Sequence, residues 1–279
     1  MIVDLHTHTT ASDGGLSPEE LVLRAKECGV QLLAVTDHDT IDGYTSISEI
    51  STGELKLIAG IELSCTWSGV NIHVLGLGID TTCSRLQAEL SDQSAARGER
   101  AKIIGDRLAK LGFKDTFEGA SALADGRAIG RPDFARFMVA QGYVDSMATA
   151  FDKYLGAGKV GDVKAMWPSL ETIINWIKSA GGVAVLAHPL HYKLTNAKLR
   201  RMLADFKEAG GEGLEVCNGR PSPSDLNYLR QLCTQFDFEA SAGSDFHQPS
   251  NWLELGCNAD IVAPCKPVWA RWQHVESTI

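Results

Sequence analysis

The 279-residue sequence lacks any apolar run near the roughly 18–20 residues that a membrane span needs. It also lacks a basic leader: Met1-Ile2-Val3-Asp4-Leu5-His6 meets an acid at position 4, which is not the pattern of a signal peptide. No C-x-x-C occurs. The seven cysteines, at 28, 65, 83, 217, 233, 257 and 265, are odd in number and scattered. That excludes a disulfide framework or zinc ribbon and predicts reduced thiols in a cytoplasmic protein. Repeats and low-complexity tracts are missing, and 44% hydrophobic with 22% charged residues is globular usage, so disordered and fibrous classes are excluded. Positive charge is short as well. A net charge of −9 argues against coating nucleic acid through a bulk positive field.

What is present is the length of one large α/β domain with room for an insertion. Short apolar runs at 2–5, 32–36, 57–62, 72–78, 183–187, 213–217 and 239–242 read as buried strands. Helices with clear start signals lie between them. Ser17-Pro18-Glu19-Glu20 offers an N-cap, a proline in the first turn and a capping-box glutamate, for a helix ending at Gly29. Ser169 starts a second that ends near Gly181-Gly182, residues 197–209 form a third ending at Gly210-Gly211, and Ser222-Pro223 opens one through about Phe236. The alternation predicts parallel strands with helices outside, as an open sheet or a barrel.

The middle differs. From about residue 82 to 166 only helical periodicity is found, at 97–110, 133–141 and 146–154. Residues 91–167 carry a net charge of +2 and the remainder −11, so a mildly basic helical segment is set into an acidic α/β body. The expected organisation is a barrel from 1–90 and 168–279, with 91–167 as a helical insertion covering the active site. Gly156-Ala157-Gly158-Lys159-Val160-Gly161 is glycine-rich, but it lacks a GKS or GKT ending and a preceding strand, so it is not read as a P-loop.

Six of the eight histidines fall beside strands. The first strand runs into His6-Thr7-His8, with Asp13 close behind; the second ends at Thr36-Asp37-His38-Asp39. Glu62 ends the third, His73 lies in the fourth, His188 follows the fifth, and Gly243-Ser244-Asp245-Phe246-His247 closes the last. Parallel folds gather the carboxyl ends of their strands on one face, so these residues are expected to converge. Imidazole and carboxylate suit Zn²⁺, Mn²⁺ or Fe²⁺. Nine such ligands exceed one ion's coordination and fit two or three. Asp37 and Asp39 are expected to orient histidines. Asp4 is expected to do likewise or to cap a loop.

In order along the chain, D-L-H-T-H at 4–8, T-D-H-D at 36–39, G-I-E at 60–62, H-V-L-G at 73–76, A-H-P at 187–189 and G-S-D-F-H at 243–247 resemble the motifs of the PHP (polymerase and histidinol phosphatase) superfamily. The resemblance implies an α/β fold, a distorted (β/α)₇ barrel, with two or three divalent ions, manganese first and zinc or iron as alternatives. It implies one ion on His6, His8, Glu62 and Asp245, with Glu62 bridging to a second on His73 and His188. A third would lie on Asp13, His38 and His247. Gly130-Arg131-Pro132-Asp133-Phe134-Ala135-Arg136, the loop at 154–161, A-H-P-x-x-Y at 187–192 and G-S-D-F-H-Q-P at 243–249 resemble the ribonuclease AM, TrpH-like branch. That branch implies phosphatases of 3′,5′-nucleoside bisphosphates such as pAp, some also acting as 5′→3′ exoribonucleases on short RNA. One departure is His191, where arginine is expected.

Paired metal ions about 3.5–4 Å apart supply a bridging hydroxide and clamp the transferring phosphoryl group. Three divalent ions outweigh three carboxylates, so the site is positive inside an acidic protein. Asp13, Asp245 and His191 are the catalytic candidates. For substrate contacts the candidates are Arg131, which precedes a proline and is expected outside the helix, then Arg136, Lys159, His191 and Asn218. Arg136 has an alternative as an i,i+3 partner of Asp133. Trp67, Trp167, Trp252, Trp269 and Trp272 offer base-stacking surfaces, with core positions as the plainer reading; His274 is assigned nothing. The expected partners are a nucleoside bisphosphate or short 5′-phosphorylated RNA as substrate, with no membrane and no stable protein partner. Competing readings are a histidinol-phosphate phosphatase, a non-catalytic metal-bound module, and a deaminase or amide hydrolase.

Overall fold

The β-branched and aliphatic runs become strands and the capped amphipathic runs become helices. The computed structural model describes residues 1–163 and 167–272. They divide into two units, Met1–Gln87 with Pro168–Ile279, and Ala88–Trp167.

The first unit holds all eight strands found among the described residues: β1 (Ile2–Asp4), β2 (Leu32–Val35), β3 (Lys56–Trp67), β4 (Val70–Leu77), β5 (Val183–Leu186), β6 (Gly213–Asn218), β7 (Glu239–Gly243) and β8 (Cys257–Asn258). Their order in the sheet is β7-β6-β5-β4-β3-β2-β1-β8. The ends meet: Leu5 N–H donates to Ala242 O (3.1 Å), His8 N–H to Phe246 O (2.9 Å) and Asp245 N–H to His6 O (2.8 Å). β1 is thus flanked by β8 along residues 2 and 3 and by the end of β7 beyond residue 5, which nearly closes a distorted α/β barrel.

Two expectations need correction. The strands are not uniformly parallel: β4 runs antiparallel to both β3 and β5. The reason is Ser68-Gly69, both at positive φ (49° and 76°), a two-residue turn that joins antiparallel strands only. Glu62 does not end its strand either, because β3 continues to Trp67. Glu62 pairs with Leu75 and Ser64 with His73, so Glu62 and His73 share one face of the hairpin.

Helices α1 (Pro18–Glu27) and α2 (Asp42–Ile47) follow the first two strands. Ser17 and Glu20 close the expected capping box, while α2, short and uncapped by any side chain, gave no signal. Leu21, Val22 and Ala25 of α1, with Ile47 of α2, pack on Leu33, Val35 and Phe246.

In the second unit no strand occurs among the described residues. Most of α3 (Ser84–Ala109) belongs here, with α4 (Thr116–Ala124), α5 (Arg131–Ala140) and α6 (Met147–Ala150), which runs on into a π-helical turn at Phe151–Leu155. α3 starts at Ser84, well before residue 97: Leu86 and Leu90 are buried at i,i+4 spacing, but the turns between Leu90 and Arg97 hold only polar and small residues. Ile104, Leu108, Phe134, Met138 and Leu155 form the core. Gly119 lets α4 lie against α5: a Cβ there would fall 2.0 Å from the Phe137 ring. Arg131 is corrected as well. It is the first residue of α5, with Gly130 as N-cap, since a proline in the first turn gives up only an N–H that has no helical partner.

Back in the first unit, α7 (Leu170–Ser179), α8 (Asn196–Glu208) and α9 (Pro223–Gln235) start behind the N-caps Ser169, Thr195 and Ser222.

Candidate metal centre

The site is assembled by backbone clamps. Asp37 accepts hydrogen bonds from Thr9 N–H (2.8 Å), Thr9 Oγ1 (2.7 Å) and Ser12 Oγ (2.6 Å), fixing the loop that carries His8 to Asp13. The expectation that Asp37 orients a histidine is therefore corrected; its neighbours are the N–H and hydroxyl groups of that loop. Asp39 accepts from Ser64 N–H (2.7 Å). Asp4 ties β1 to the last strand loop through Ser244 N–H and Gly256 N–H, both 2.8 Å. Burial lifts the Asp4 carboxyl to about 6.

Onto this frame all nine candidate ligands converge. Glu62, with 1% of its surface exposed, is the hub. Its Oε1 lies 2.9 Å from His73 Nδ1 and 2.9 Å from His188 Nε2; its Oε2 lies 3.0, 3.3 and 3.4 Å from His38 Nδ1, His8 Nε2 and His6 Nε2. Asp245 Oδ1 sits 3.4 Å from His6 Nε2 and 3.3 Å from His8 Nε2. Asp13 Oδ1 is 3.3 Å from His247 Nε2, and its Oδ2 is 3.9 Å from His38 Nε2. Four ligand groups result, each with its donor atoms within 4.8 Å of one another: His6–His8–Asp245, His6–Glu62–His188, His38–Glu62–His73 and His8–Asp13–His38–His247. The last contains His8 in addition to the three residues expected.

These residues fit divalent ions. His6 Nε2, both nitrogens of His8, and Nδ1 of His38 and His188 are buried with no hydrogen bond. Each such group costs about 1–3 kcal/mol if nothing fills it. Charge gives the same answer. Burial raises the carboxyls of Asp13, Glu62 and Asp245, but the surrounding imidazoles outweigh it and hold all three well below the usual range. Burial lowers His6 and His8, yet Glu215, Asp245 and Glu62 lift His6 well above the ordinary value, and Asp245 and Glu62 bring His8 to about 10. Burial takes His73 down to about 4; Glu62 opposes this, and His38 and His188 add to it. Without a cation the cluster balances its carboxylates with protons. A divalent ion satisfies the carboxylates and the bare nitrogens together.

Two further residues carry roles that the sequence did not show. Glu215 is fully buried in β6; it accepts from His6 Nδ1 (2.9 Å), His188 N–H (2.6 Å) and Asn218 Nδ2 (3.2 Å). The His6 contact fixes the ring tautomer that points Nε2 at the ligand cluster. Its signal was a lone acid inside Gly213-Leu214-Glu215-Val216-Cys217. Tyr192 takes the His73 N–H (2.9 Å) and donates to Ala187 O (2.9 Å), pinning β4 beside His188.

His191 stacks on His188, with ring centroids 5.1 Å apart and planes at 12°. Burial and His188 push its imidazole below the ordinary value, so it is not a standing cation at neutral pH. Both line a cavity of about 230 Å³ with Asn218 and Arg220. Arg131, Arg136 and Lys159 lie in the helical unit. Arg131 Nη1 donates to Leu155 O (3.1 Å), and Arg136 Nη1 to Asp133 Oδ1 (3.1 Å), the i,i+3 pairing given as its alternative. Lys159 is exposed in the glycine loop. His274 lies outside the described residues. All seven cysteines are free thiols, and no helix among the described residues is long and apolar enough to cross a membrane.

The PHP domain model matches residues 4–161. A 5′-3′ exoribonuclease of Haemophilus influenzae is 45% identical over 271 residues, covering 96% of this chain and 98% of that protein. A 3′,5′-nucleoside bisphosphate phosphatase of Chromobacterium violaceum is 38% identical over 270 residues, 96% of this chain and 95% of that one. Among solved structures, a C. violaceum protein described as an amidohydrolase with bound sulfate superposes with a TM-score of 0.89 at 37% identity, covering 96% and 95% of the two chains. A Bifidobacterium adolescentis protein described as a metal-dependent phosphoesterase gives 0.78 at 30% identity over 93% of each. With this barrel, this ligand cluster and these full-length relatives, the chain belongs to the PHP domain family.

Proposed function

We propose that the chain is a metal-dependent phosphoesterase that hydrolyses the phosphate monoester of 3′,5′-nucleoside bisphosphates such as pAp and also degrades short 5′-phosphorylated RNA from its 5′ end. The observation that carries this reading is the Glu62 hub: five imidazoles on one buried carboxylate, with several nitrogens left for an ion. The two activities are those named for relatives that span nearly the whole chain.

His6, His8 and Asp245, with Glu62, would hold one ion; Glu62 with His73 and His188 a second; Asp13, His38 and His247 a third. Manganese is the proposed metal. When bound, divalent ions supply an activated water and neutralise charge on the phosphoryl oxygens. The chain's own residues do the rest. Glu215 holds His6 in its tautomer, and Asp13 and Asp245 act from ligand positions. His191 and Asn218, which line the cavity beside His188, would hydrogen-bond a phosphate or leaving oxygen. Arg131, Arg136 and Lys159 are the proposed cations of the helical unit for a distal phosphate, Arg131 first. Free thiols support a cytoplasmic setting.

The test couples metal content to phosphate release from pAp, a 5′-phosphorylated dinucleotide and histidinol phosphate. Hydrolysis of the first two is expected. A preference for histidinol phosphate overturns the substrate, and inertness on all three by metal-loaded protein points to a non-catalytic module. Arg131→Ala is expected to raise KM without loss of metal.

A further inference from the structure

The structure separates the five tryptophans that the sequence offers as stacking surfaces or core positions. Trp67 is buried, with Nε1 donating to Asp205 (2.8 Å). Trp269 is buried, Trp167 lies under the guanidinium groups of Arg97 and Arg100, and Trp272 packs over Gly78. Trp252 alone stands out in water, with 81% of its surface exposed, the highest of any large apolar residue among those described.

Its loop is held at several points. His247, five residues upstream, faces Asp13 and Asp245, and its carbonyl accepts from Gly15 N–H (2.6 Å). Ser250 Oγ accepts the N–H groups of Trp252 (3.3 Å) and Leu253 (3.0 Å). Glu254 is bound by the Arg24 guanidinium, and Leu255 enters the barrel-side core. The loop also abuts the turn after β6, since a Cβ on Gly219 would lie 3.2 Å from Leu253 Cδ1. That turn carries Asn218 and Arg220 into the cavity shared with His188 and His191. Arg220 is exposed and has no hydrogen bond or ion pair among the described residues.

We propose that Trp252 is a base-stacking platform for single-stranded nucleic acid whose end lies at the metal centre, with Arg220 meeting a phosphate beside it. The site it serves rests on the phosphoesterase reading. A cavity of about 230 Å³ is below the roughly 300–1,000 Å³ of ordinary small-molecule pockets, so a polymer must extend past it. The next base then meets an exposed indole on a loop held by its backbone, and the next phosphate an exposed guanidinium. In a protein of net charge −9 a bulk field does not hold such a strand. Stacking does, and it accepts any base because every base has a π-face.

The test compares Trp252→Ala and Trp252→Phe with the parent chain. On a 5′-phosphorylated pentanucleotide, Trp252→Ala is expected to raise KM about tenfold or more, the scale of one lost base stack, while Trp252→Phe recovers most of it. The KM for pAp should move less than twofold. An unchanged pentanucleotide KM overturns the proposal, as does an equal loss on both substrates or a change in oligomeric state on size exclusion. A binding measurement separates this outcome from failure of the phosphoesterase reading. A pentanucleotide with non-hydrolysable linkages should quench the tryptophan fluorescence of the parent chain, and the part of the quench missing in Trp252→Phe reports the stack. If the chain hydrolyses neither substrate, a quench lost in that variant still upholds the platform, and equal quenching in both proteins overturns it.

Discussion

The barrel and the helical unit both bury charge, and they satisfy it in opposite ways. In the helical unit Asp133 is fully buried, and its own chain answers it: Arg127 and Arg136 donate to the carboxylate, and so does Gly130 N–H. Arg100 reaches the Val163 carbonyl and lies over Trp167. In the barrel, Glu62 is equally buried but is surrounded by imidazoles, several of whose nitrogens are left without hydrogen bonds. A closed arrangement of buried charge is structural. One that leaves donor atoms bare is built for something that arrives from solution.

The contrast is broken most severely by Glu62→Gln. Losing the hub carboxylate is expected to weaken metal binding by more than the about 10–100-fold that an outer-sphere partner costs, and to abolish phosphate release. Metal analysis after gel filtration reads this directly. Full metal content would mean that Glu62 is an ordinary buried acid. Phe134→Ala probes the other side. A cavity in the helical core is expected to cost about 3–5 kcal/mol, seen as faster hydrogen exchange across 101–155 with metal content near the parent level. Metal lost in step with that exchange would erase the distinction between the units.

Glu215→Gln sharpens the barrel side. It keeps the shape but removes the charge that orients His6, so metal affinity should fall about 10–100-fold, measured by competition with a chelating dye. Wild-type affinity would show that the His6 tautomer does not depend on it. The smallest effect is expected from Ser17→Ala. Removing the capping-box hydroxyl of α1 should lower unfolding free energy by about 1 kcal/mol in urea, with metal affinity unchanged.

Much of this was legible in sequence because the signals are short-range. Ser17, Ser169 and Ser222 marked helix starts through hydrogen bonds that close within one turn. His6, His8, His38 and His188 stood beside apolar runs that were plainly strands. The reversal of β4 was hidden in Ser68-Gly69, because a hydrophobic run reads alike in either direction. Glu215 reads as part of an apolar strand, and α4, rich in small residues, has too weak a period to show.

By itself the sequence picked out the candidate ligands by type, where the helices begin, and that a helical segment interrupts an α/β body. Those properties belong to single residues and to neighbours one turn away. Only the tertiary structure decided that Glu62 sits at the centre of five imidazoles, that Glu215 orients His6, and that Trp252 is the tryptophan left in water. Each of these depends on which distant segment lies across the space, His6 meeting Glu215 and Leu253 meeting Gly219, and barrel closure sets that pairing.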